Sequence, residues 1–503
     1  MKLYKYITCI CLGLMVLTSC KKDFLDKPTP QNGDLTDNII FSTKAGAQNA
    51  LTGIYWIFRS ENYNGYGGQN PDFSSLTNRG LQTTMFSFEM KTNDLLDVYG
   101  GTYWWGNEAT WKDGYNTRDA QGPRTYQIWD MFYKAINNAN AVIKYTPSVT
   151  DASAAEKDAI IAEAKAIRAY SYFWLARVYQ FTYAKNPDAP GIPVYTDPAS
   201  KDAKGNPRAS LKTVYALITS DIESAIALLP VARTDKYRIN KEVAQAIAAQ
   251  VYQELAMADP SLWDKVISNA QAARASYPMM SNASYASGFN DLSNGEWIWG
   301  LPVPSDQSLT YYSIYSFMDW TNGYYRNIGL NTDLTNQYSA TDGRSKVILS
   351  NSWATPTNRP TYQRYTSKFT SRTAGQMIGD IVLIRSAQLL LIEAEALAQE
   401  NKLPEAINKM FELQVLRDPA AVKPSLSSKS DVINAILTER VKEMFGENGG
   451  IYFDLKRLQL PLVRNGNHPN IVNIPASDAR WNMKLPQKEI DSNQSLSAAD
   501  QNP

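Results

Sequence analysis

The most regular run of apolar positions in the chain lies between residues 160 and 180. Apolar and small side chains recur there at steps of three and four, the spacing of one helix face, at Ile160, Ala164, Ile167, Ser171, Trp174 and Val178. Four more aromatic residues widen this face to most of the circumference, namely Tyr170, Tyr172, Phe173 and Tyr179. A helix that is apolar on several sides is typical of a protein core. We therefore expect a buried helix that other helices cover.

Helical spacing recurs along the rest of the chain. The pattern predicts helices over 43–58, 126–144, 211–229, 240–258, 261–275, 384–399 and 404–417. Neighbouring helices are joined by short turns, which predicts helical hairpins over about 126–275 and 381–417. Stacked hairpins bury each face against a neighbour, as in tetratricopeptide arrays, although the register fits the consensus of about 34 residues poorly. The predicted fold class is mainly α, with tetratricopeptide-like hairpins in a superhelical scaffold, long irregular loops and a few short strands.

Two long stretches, 60–122 and 281–330, interrupt the helical pattern and are rich in Gly, Asn and aromatic residues. Loops of that length are usually functional or disordered, and the density of Trp and Tyr argues against disorder. Within the second stretch, residues 295–303 alternate as a short strand, which places Trp297 and Trp299 on the same side, in the core. We expect the irregular parts to hold a ligand.

Seven aromatic residues in these stretches stand beside Gly and Asn without a helical or alternating frame: Tyr99, Trp104, Trp105, Trp111, Trp320, Tyr324 and Tyr325. Sugars present flat C–H faces framed by hydroxyl groups, so aromatic plates with hydrogen-bonding neighbours match both surfaces. Polar partners are available at Arg79, Asp97, Asn107 and Asn322. These residues are the candidate glycan contacts, whereas Trp129 and Trp174 lie on helical stripes and are expected in the core.

The overall composition indicates a partner that is not recognised by a block of charge. Among 503 residues there are 50 Lys plus Arg and 49 Asp plus Glu, and no long block of one sign occurs. That balance gives no footprint for nucleic acid or for a basic membrane patch. The 30 Tyr and 12 Trp supply large, rigid contact area with a polar tip.

The N-terminus carries the features of a lipoprotein signal. Lys2 and Lys5 precede an apolar run, Ile7 to Leu17, that is too short to span a bilayer. Leu17, Thr18, Ser19 and Cys20 match the lipobox of bacterial lipoproteins. We expect residues 1–19 to be a signal peptide, Cys20 to be acylated, and 20–31 to be a flexible tether. The alternative is an ordinary cleaved signal with a chance Cys.

The small number of cysteine and histidine residues excludes several kinds of catalytic site. Cys9 and Cys11 lie in the leader, only Cys20 follows them, and His468 is the one histidine. A disulfide framework, a Cys/His zinc site and a Cys/His nucleophilic pair are therefore excluded, and no metal or cofactor is predicted.

Carboxylate chemistry remains as the catalytic possibility. Glu393 and Glu395 lie about 200° apart on a helix, which makes a shared site unfavourable. Glu439 and Glu443 share one helix face, but an ion-pair network that includes Glu439 is the favoured interpretation, with Arg440, Asp454 and Arg457 as partners. The protein is not expected to be an enzyme.

Three segments resemble the SusD/RagB family of surface lipoproteins. Residues 168–179, RAYSYFWLARVY, match its RAYxYFxLxRxY segment, and residues 485–503 resemble its closing LPxxEIxxNxxLxQNP. The family's ERxxEfxxEGxRxxDLkR block is matched at Glu439, Arg440, Glu443, Asp454 and Arg457. The chain departs from that block at Ile451, Tyr452 and the Gly pair at 449 and 450.

The resemblance implies a SusD-like fold as one domain over 32–503. It also implies a non-catalytic, cell-surface glycan-binding lipoprotein, anchored in the outer membrane, that delivers oligosaccharide or polysaccharide fragments to a SusC-like TonB-dependent transporter. Family members commonly bind glycans through an arc of aromatic residues built from loops. A receptor for peptide or another nutrient, a structural lid of the transporter and a glycoside hydrolase with two carboxylates are the alternatives.

Overall fold

A computed structural model describes residues 40–59, 79–101, 104–111, 119–200, 202–307, 311, 313–350 and 364–503. The predicted signal peptide, Cys20, the tether and parts of the first aromatic stretch (60–78, 102–103 and 112–118) lie outside the described residues. None of the helices in the described residues is long and apolar enough to cross a membrane.

The described helices are α1 Lys44–Arg59, α2 Gly80–Glu89, α3 Gly106–Thr110, α4 Pro123–Tyr145, α5 Ala154–Tyr179, α6 Leu211–Leu228, α7 Lys241–Leu255, α8 Trp263–Arg274, α9 Asn282–Tyr285, α10 Ile314–Met318, α11 Thr332–Thr335, α12 Ser386–Gln399, α13 Leu403–Arg417, α14 Lys429–Met444, α15 Gly450–Arg457 and α16 Gln487–Ser492. The strands are β1 Leu95–Asp97, β2 Pro190–Pro193, β3 Arg208–Ser210, β4 Trp297–Leu301, β5 Ile328–Leu330, β6 Ile348–Ser350, β7 Arg364–Thr366, β8 Ile381–Arg385, β9 Leu462–Val463 and β10 Asn473–Ile474.

Helix α5 is the core helix that the apolar pattern predicts. It begins at Ala154, ahead of the apolar run, because Ser153 caps it: Ser153 Oγ accepts from the Glu156 N–H at 3.3 Å. The Glu156 carboxylate accepts from the Ser153 N–H at 2.8 Å, which completes a capping box. Tyr172 and Trp174 are buried within the helix, so the expectation of cover on several sides is confirmed.

The long helices pack in an order that follows the chain. Helix α5 lies between α4 and α6, α7 packs on α6 and α8, and α8 packs on α12. Helix α12 then contacts both α13 and α14. Neighbours joined by short turns share apolar faces, because a helix with one apolar face must bury it against another element. The predicted mainly α fold with helical hairpins is confirmed.

The strand predicted over 295–303 forms as β4 and pairs with β8, with Leu301 opposite Ile381. Helix α12 therefore begins at Ser386; the predicted start at Ile384 is wrong because Ile384 and its neighbour extend the strand. Trp297 and Trp299 are buried as predicted, but they pack in different clusters, against Phe289 and Tyr170 respectively. Register shifts on both sides of Trp299 break the alternation that would place both rings on one side.

The two aromatic stretches contain more regular structure than their composition predicts. Helix α2 lies inside the first stretch and all of its residues are buried, so it shows no alternation between apolar and polar faces. Strand β1 from the first stretch pairs antiparallel with β5 from the second, with Leu95 opposite Leu330 and Asp97 opposite Ile328. This pairing brings the candidate ligand loops together.

Candidate ligand-binding site

Four aromatic side chains from the two stretches form an accessible group, the aromatic patch: Trp104, Tyr311, Tyr324 and Tyr325. Tyr311 is 43% exposed and Tyr324 is 60% exposed, while Trp104 and Tyr325 are half-buried. The Tyr311 and Tyr324 ring centroids are 4.6 Å apart, and Tyr324 lies 5.0 Å from Tyr325. Trp104 meets Tyr325 edge-on at 5.6 Å. The patch therefore offers several neighbouring rings to a ligand.

A tight turn after α10 presents Tyr324 and Tyr325. The backbone N–H groups of Tyr325 and Arg326 both donate to the Ser316 carbonyl, at 2.8 and 3.0 Å. The Gly323 N–H donates to the Asp319 carbonyl at 2.7 Å. A Cβ on Gly323 would lie 2.4 Å from that same oxygen, so the turn requires glycine.

The Asp319 carboxylate fixes the same turn from inside. It is fully buried and accepts the backbone N–H groups of Thr321 and Asn322, each at 2.9 Å. Its second oxygen accepts the Ser371 N–H at 2.8 Å, which ties the turn to the segment after β7. The turn thereby holds Asn322, a predicted polar contact that is half-buried and lies two residues before Tyr324.

Buried rings support the aromatic patch from below. Phe317 stacks under Tyr325 at 5.3 Å with an interplanar angle of 14°. Trp105 packs edge-on against Phe317 and Phe86, and only 2% of its surface is exposed. Trp105 has a φ of 71°, and this left-handed backbone turns its ring into the core while Trp104 stays at the surface.

Two other predicted contact tryptophans also pack inside. Trp111 is 3% exposed, its Nε1 donates to the Lys91 carbonyl at 2.7 Å, and its ring meets Trp481 edge-on. Trp320 is 5% exposed and its Nε1 donates to the Ile328 carbonyl at 2.7 Å. Both indole N–H groups thus donate to backbone carbonyls within the fold. Of the seven aromatic residues predicted as ligand contacts, Trp105, Trp111 and Trp320 are therefore buried instead.

Some of the predicted polar partners are also buried in the fold, and others are partly accessible. Asp97 is fully buried and accepts from the backbone N–H groups of Tyr99 at 3.1 Å and Gly101 at 2.8 Å, so it shapes the loop after β1. Arg79 is buried at the start of α2, where its N–H donates to Thr83 Oγ1. Tyr99 and Asn107 are half-buried on this loop and on α3. Both remain predicted contacts.

Sequence reasoning missed three residues that build this site. Tyr311 belongs to the second aromatic stretch, which was the available signal. Asn327 Nδ2 donates to the Trp104 carbonyl at 3.1 Å and so joins the two stretches. Arg464 is buried and donates to the carbonyls of Thr92 at 2.9 Å and Met90 at 3.0 Å. No local pattern predicts these last two contacts, because their partners are distant in the chain.

Arg464 holds the loop without a salt bridge to a carboxylate among the described residues. Burial lowers the pKa of its guanidinium to about 9, only partly offset by the charge of Asp94. His468 lies close by, and burial together with the charge of Arg464 lowers the pKa of its imidazole to about 3. The imidazole is therefore neutral at neutral pH, and its Nδ1 accepts the Asn470 N–H at 3.1 Å.

The first candidate carboxylate pair is taken up by ion pairs on two sides of α12. Glu393 pairs with Arg274 of α8 at 2.6 Å. Glu395 points to the other side and pairs with Arg457 at 2.7 Å and Arg440 at 3.1 Å. The expectation that the two carboxylates do not share a site is confirmed.

The second carboxylate pair belongs to buried networks as well. Asp454 joins Arg440 at 2.6 Å and Arg457 at 3.0 Å, as the sequence predicts. Glu439 instead pairs with Arg344 at 2.7 Å. Arg344 comes from the segment between α11 and β6, so this partner was not evident from the local sequence.

Two family profiles match the chain. One, described as "Starch-binding associating with outer membrane", matches residues 79–253, and the other, "SusD family", matches residues 305–503. The curated SusD-like protein P38 of Formosa agariphila is 31% identical over 142 residues, which is 28% of this chain and 25% of the relative. The match thus spans about a quarter of that relative's length.

Solved structures match nearly the whole chain. A SusD-like carbohydrate binding protein from Bacteroides vulgatus is 26% identical with a TM-score of 0.78, covering 91% of this chain and 98% of its own. A SusD superfamily protein from Bacteroides thetaiotaomicron is 22% identical with a TM-score of 0.73, covering 92% and 100%. A putative sugar binding protein from Bacteroides vulgatus is 19% identical with a TM-score of 0.73, covering 92% and 98%. The last two show similarity of fold alone.

Proposed function

Because this chain belongs to the SusD/RagB family, we propose that it is a non-catalytic, cell-surface glycan-binding lipoprotein. It captures an oligosaccharide and delivers it to a SusC-like TonB-dependent transporter in the outer membrane. Acylation of Cys20 provides the anchor, and residues 20–31 provide the tether. The observation that carries the proposal is the exposed aromatic patch, built where β1 and β5 join the two aromatic stretches.

The aromatic patch suits a sugar for a physical reason. Tyr311 and Tyr324 together expose ring faces and hydroxyl groups, so C–H faces stack on the rings while sugar hydroxyls hydrogen-bond at the edges. Asn322 and Asn107 supply amide groups near the patch in the chain. The turn at Gly323 holds these groups in place before ligand arrives, which reduces the entropy lost on binding.

The carboxylate pairs Glu393/Glu395 and Glu439/Glu443 favour binding over hydrolysis, because all four groups are engaged in ion pairs. A glycosidase needs two carboxyl groups that flank the scissile bond, one of them protonated near neutral pH. Glu443 sits among arginines: burial alone would raise its pKa, but Arg417, Arg385 and Arg344 outweigh burial and hold that pKa well below its ordinary value. A carboxylate kept ionised in this way has no proton to give to a leaving group.

Calorimetry with a panel of polysaccharides tests the proposal. The variant Tyr311→Ala/Tyr324→Ala removes the two most exposed rings of the aromatic patch. We expect its affinity to fall by at least about tenfold, because each stacked ring contributes on the order of 1 kcal/mol. Phe411→Ala is the matched control, since Phe411 is a half-buried aromatic on α13 outside the core clusters. Unchanged affinity in the double variant would rule out the aromatic patch as the site.

The same experiment separates the alternatives. Trp105, Trp111 and Trp320 are left intact, because replacing buried rings would test folding rather than binding. If no polysaccharide binds while the protein still co-purifies with its transporter, the receptor for peptide or another nutrient, or the structural lid, is favoured. Release of reducing ends from a bound glycan would contradict a non-catalytic role.

A further inference from the structure

A cleft of about 670 Å³ opens on a part of the molecule that shares no residue with the aromatic patch. Helix α4, the segments 194–200 and 203–206, and helix α16 line this α4–α16 cleft. Its volume lies in the range of roughly 300–1,000 Å³ that small-molecule sites occupy. The cleft is therefore large enough for a sugar-sized ligand.

Hydrogen bonds fix the walls of the α4–α16 cleft. Asn140 Nδ2 on α4 donates to the carbonyls of Tyr195 at 3.0 Å and Asp197 at 3.1 Å. Asn493 Nδ2, next to α16, donates to the Asn206 carbonyl at 2.9 Å. The wall between 194 and 206 is thus tied to both neighbouring helices. A site held in this way loses little conformational freedom when ligand binds.

Aromatic rings line one side of the cleft. The centroids of Trp129 and Tyr133 are 4.7 Å apart, and Tyr195 meets Tyr133 edge-on at 5.9 Å. Tyr126 extends the row at the end where Lys488 lies 4.4 Å above its ring. Trp129 is buried behind this row, and the half-buried rings of Tyr126, Tyr133 and Tyr195 offer the apolar surface on which the C–H face of a sugar stacks.

The charges in the cleft cancel. Three carboxylates line the cleft, those of Asp130, Asp197 and Glu489. Three ammonium groups also line it, those of Lys134, Lys204 and Lys488, so the formal charges of the lining balance. Lys134 and Asp130 also pair with each other at 2.9 Å. A balanced lining attracts neither phosphate nor cationic ligands over neutral ones, because specificity for charge needs an excess of one sign.

Two donors in the cleft keep a hydrogen to offer. Tyr195 Oη accepts from the Asn206 N–H at 3.1 Å, and Asn137 Oδ1 accepts from the Ala199 N–H at 2.7 Å. Within the described chain, the hydroxyl proton of Tyr195 and the amide N–H₂ of Asn137 have no acceptor. Glu489 also lines the cleft: its Oε2 accepts the Trp129 Nε1–H at 3.2 Å and its Oε1 accepts the Asn493 Nδ2–H at 2.8 Å, and the second lone pair of each oxygen can accept from a ligand.

We propose that the α4–α16 cleft is a second ligand site, for a neutral polyhydroxylated molecule of mono- or disaccharide size. Rings provide stacking, Tyr195 and Asn137 donate to sugar hydroxyls, and Glu489 accepts from them. The site uses different elements from the aromatic patch, so it does not rest on the function proposed for that patch.

A blocking variant tests the site. Ala203 is exposed at the rim of the cleft, and Ala203→Trp fills the cleft without removing a buried contact. Ala420→Trp, at an exposed position between α13 and α14, is the matched control. Saturation-transfer NMR and calorimetry are run on the soluble, anchor-free protein with glucose, galactose, mannose, N-acetylglucosamine, maltose and cellobiose at millimolar concentration.

We expect at least one of these sugars to bind wild type and the Ala420→Trp variant, and to bind Ala203→Trp at least about tenfold more weakly. The variant Asn137→Ala/Tyr195→Phe leaves the cleft unfilled and removes both donors, together with the acceptors for the Ala199 and Asn206 N–H groups. We expect about thirtyfold weaker binding, because each of the two hydrogen bonds lost to the sugar is worth about 1 kcal/mol. Melting curves confirm that each variant is folded.

The outcomes separate this site from the aromatic patch. Binding that is lost in Ala203→Trp but kept in Tyr311→Ala/Tyr324→Ala supports the cleft. Binding that is lost only in the latter variant overturns the cleft and supports the patch. No binding of any tested sugar, or equal binding by wild type and Ala203→Trp, also overturns the cleft.

Discussion

At the scale of single residues, the carboxylate of Glu443 organises the C-terminal third of the chain. It is fully buried and accepts from Arg417 at 2.8 Å, Arg385 at 2.8 Å and Arg344 at 3.0 Å. Arg385 in turn pairs with Glu296 at 2.8 Å. Each arginine comes from a different element, so one carboxylate joins α13, β8 and the segment before β6 to α14.

Glu443→Gln should destabilise the fold strongly. Losing one partner from a buried ion pair leaves charge uncompensated, at a cost of about 3–5 kcal/mol. The check is the midpoint and slope of urea unfolding. Glu412→Gln is the control, because Glu412 is 49% exposed and pairs with Lys409, so its change should stay within about 0.5 kcal/mol. Equal losses in the two variants would contradict the role given to Glu443.

At the scale of elements, the β1–β5 pair and the turn after α10 decide where the candidate rings lie. The pair joins the two aromatic stretches, and the turn at Gly323 exposes Tyr324. Left-handed backbone at Trp105 and Trp111 sends those rings inward. Composition alone marked both stretches as functional, but ring orientation depends on backbone conformation that the local sequence does not reveal.

Gly323→Ala should destabilise the turn and weaken ligand binding at the aromatic patch. The added Cβ would lie 2.4 Å from the Asp319 carbonyl and 2.6 Å from that of Tyr315, so the backbone must shift, at a cost of about 1–3 kcal/mol. Gly53→Ala in α1 is the opposite case, since nothing lies within 4 Å of its Cβ. That change should stabilise the protein by about 0.5–1 kcal/mol. Urea unfolding of both variants shows whether the free energy of unfolding falls for Gly323→Ala and rises for Gly53→Ala. A stabilised Gly323→Ala variant would contradict the close approach of the Asp319 and Tyr315 carbonyls to Gly323.

At the scale of the whole molecule, the C-terminal segment folds back over the N-terminal half. Asn502 Nδ2 donates to the Tyr179 carbonyl at 2.7 Å, at the end of α5. The Met483 N–H donates to the Val178 carbonyl at 3.0 Å. The Arg464 guanidinium donates to the carbonyls of Met90 and Thr92 in the loop before β1. These contacts link residues more than 250 positions apart, so the aromatic patch depends on the last part of the chain.

The pH dependence of global stability tests the packing of His468, which lies in the same C-terminal segment as Arg464. The pKa of His468 is about 3 in the folded protein, below the ordinary 6.5. Below pH 6.5 the unfolded chain therefore binds a proton that the folded protein does not, and stability falls as pH decreases towards 3. Between about pH 7.5 and pH 5 this loss amounts to about 2 kcal/mol.

His468→Gln isolates this contribution. Glutamine retains an acceptor for the Asn470 N–H but does not titrate, so the variant should lose about 2 kcal/mol less than wild type over that interval. Other shifted groups stay in both proteins; Glu89, whose pKa is raised to about 8 mainly by burial, acts with the opposite sign. The free energy of unfolding is measured by urea denaturation at both pH values. An equal loss of free energy in wild type and variant would contradict a buried neutral imidazole at His468.

The sequence by itself determined the scaffold. Helical periodicity placed α4 to α8, α12 and α13 to within a few residues, and the motifs at 168–179, 439–457 and 485–503 identified the family. Periodicity succeeds there because each helix buries one continuous face, and the spacing of that face is written locally. It failed at α2, whose residues are all buried and therefore show no amphipathic contrast.

Only the tertiary structure decided which candidate residues meet solvent. Trp105, Trp111 and Trp320 have the same sequence context as Trp104 and Tyr324, yet they pack in the core. Residues far apart in the chain meet in the pairing of β1 with β5, in the hydrogen bonds from Arg464 to the loop before β1, and in the α4–α16 cleft. Such contacts depend on the packing of the whole chain, because loop residues carry no periodic signal that ties them to a distant partner.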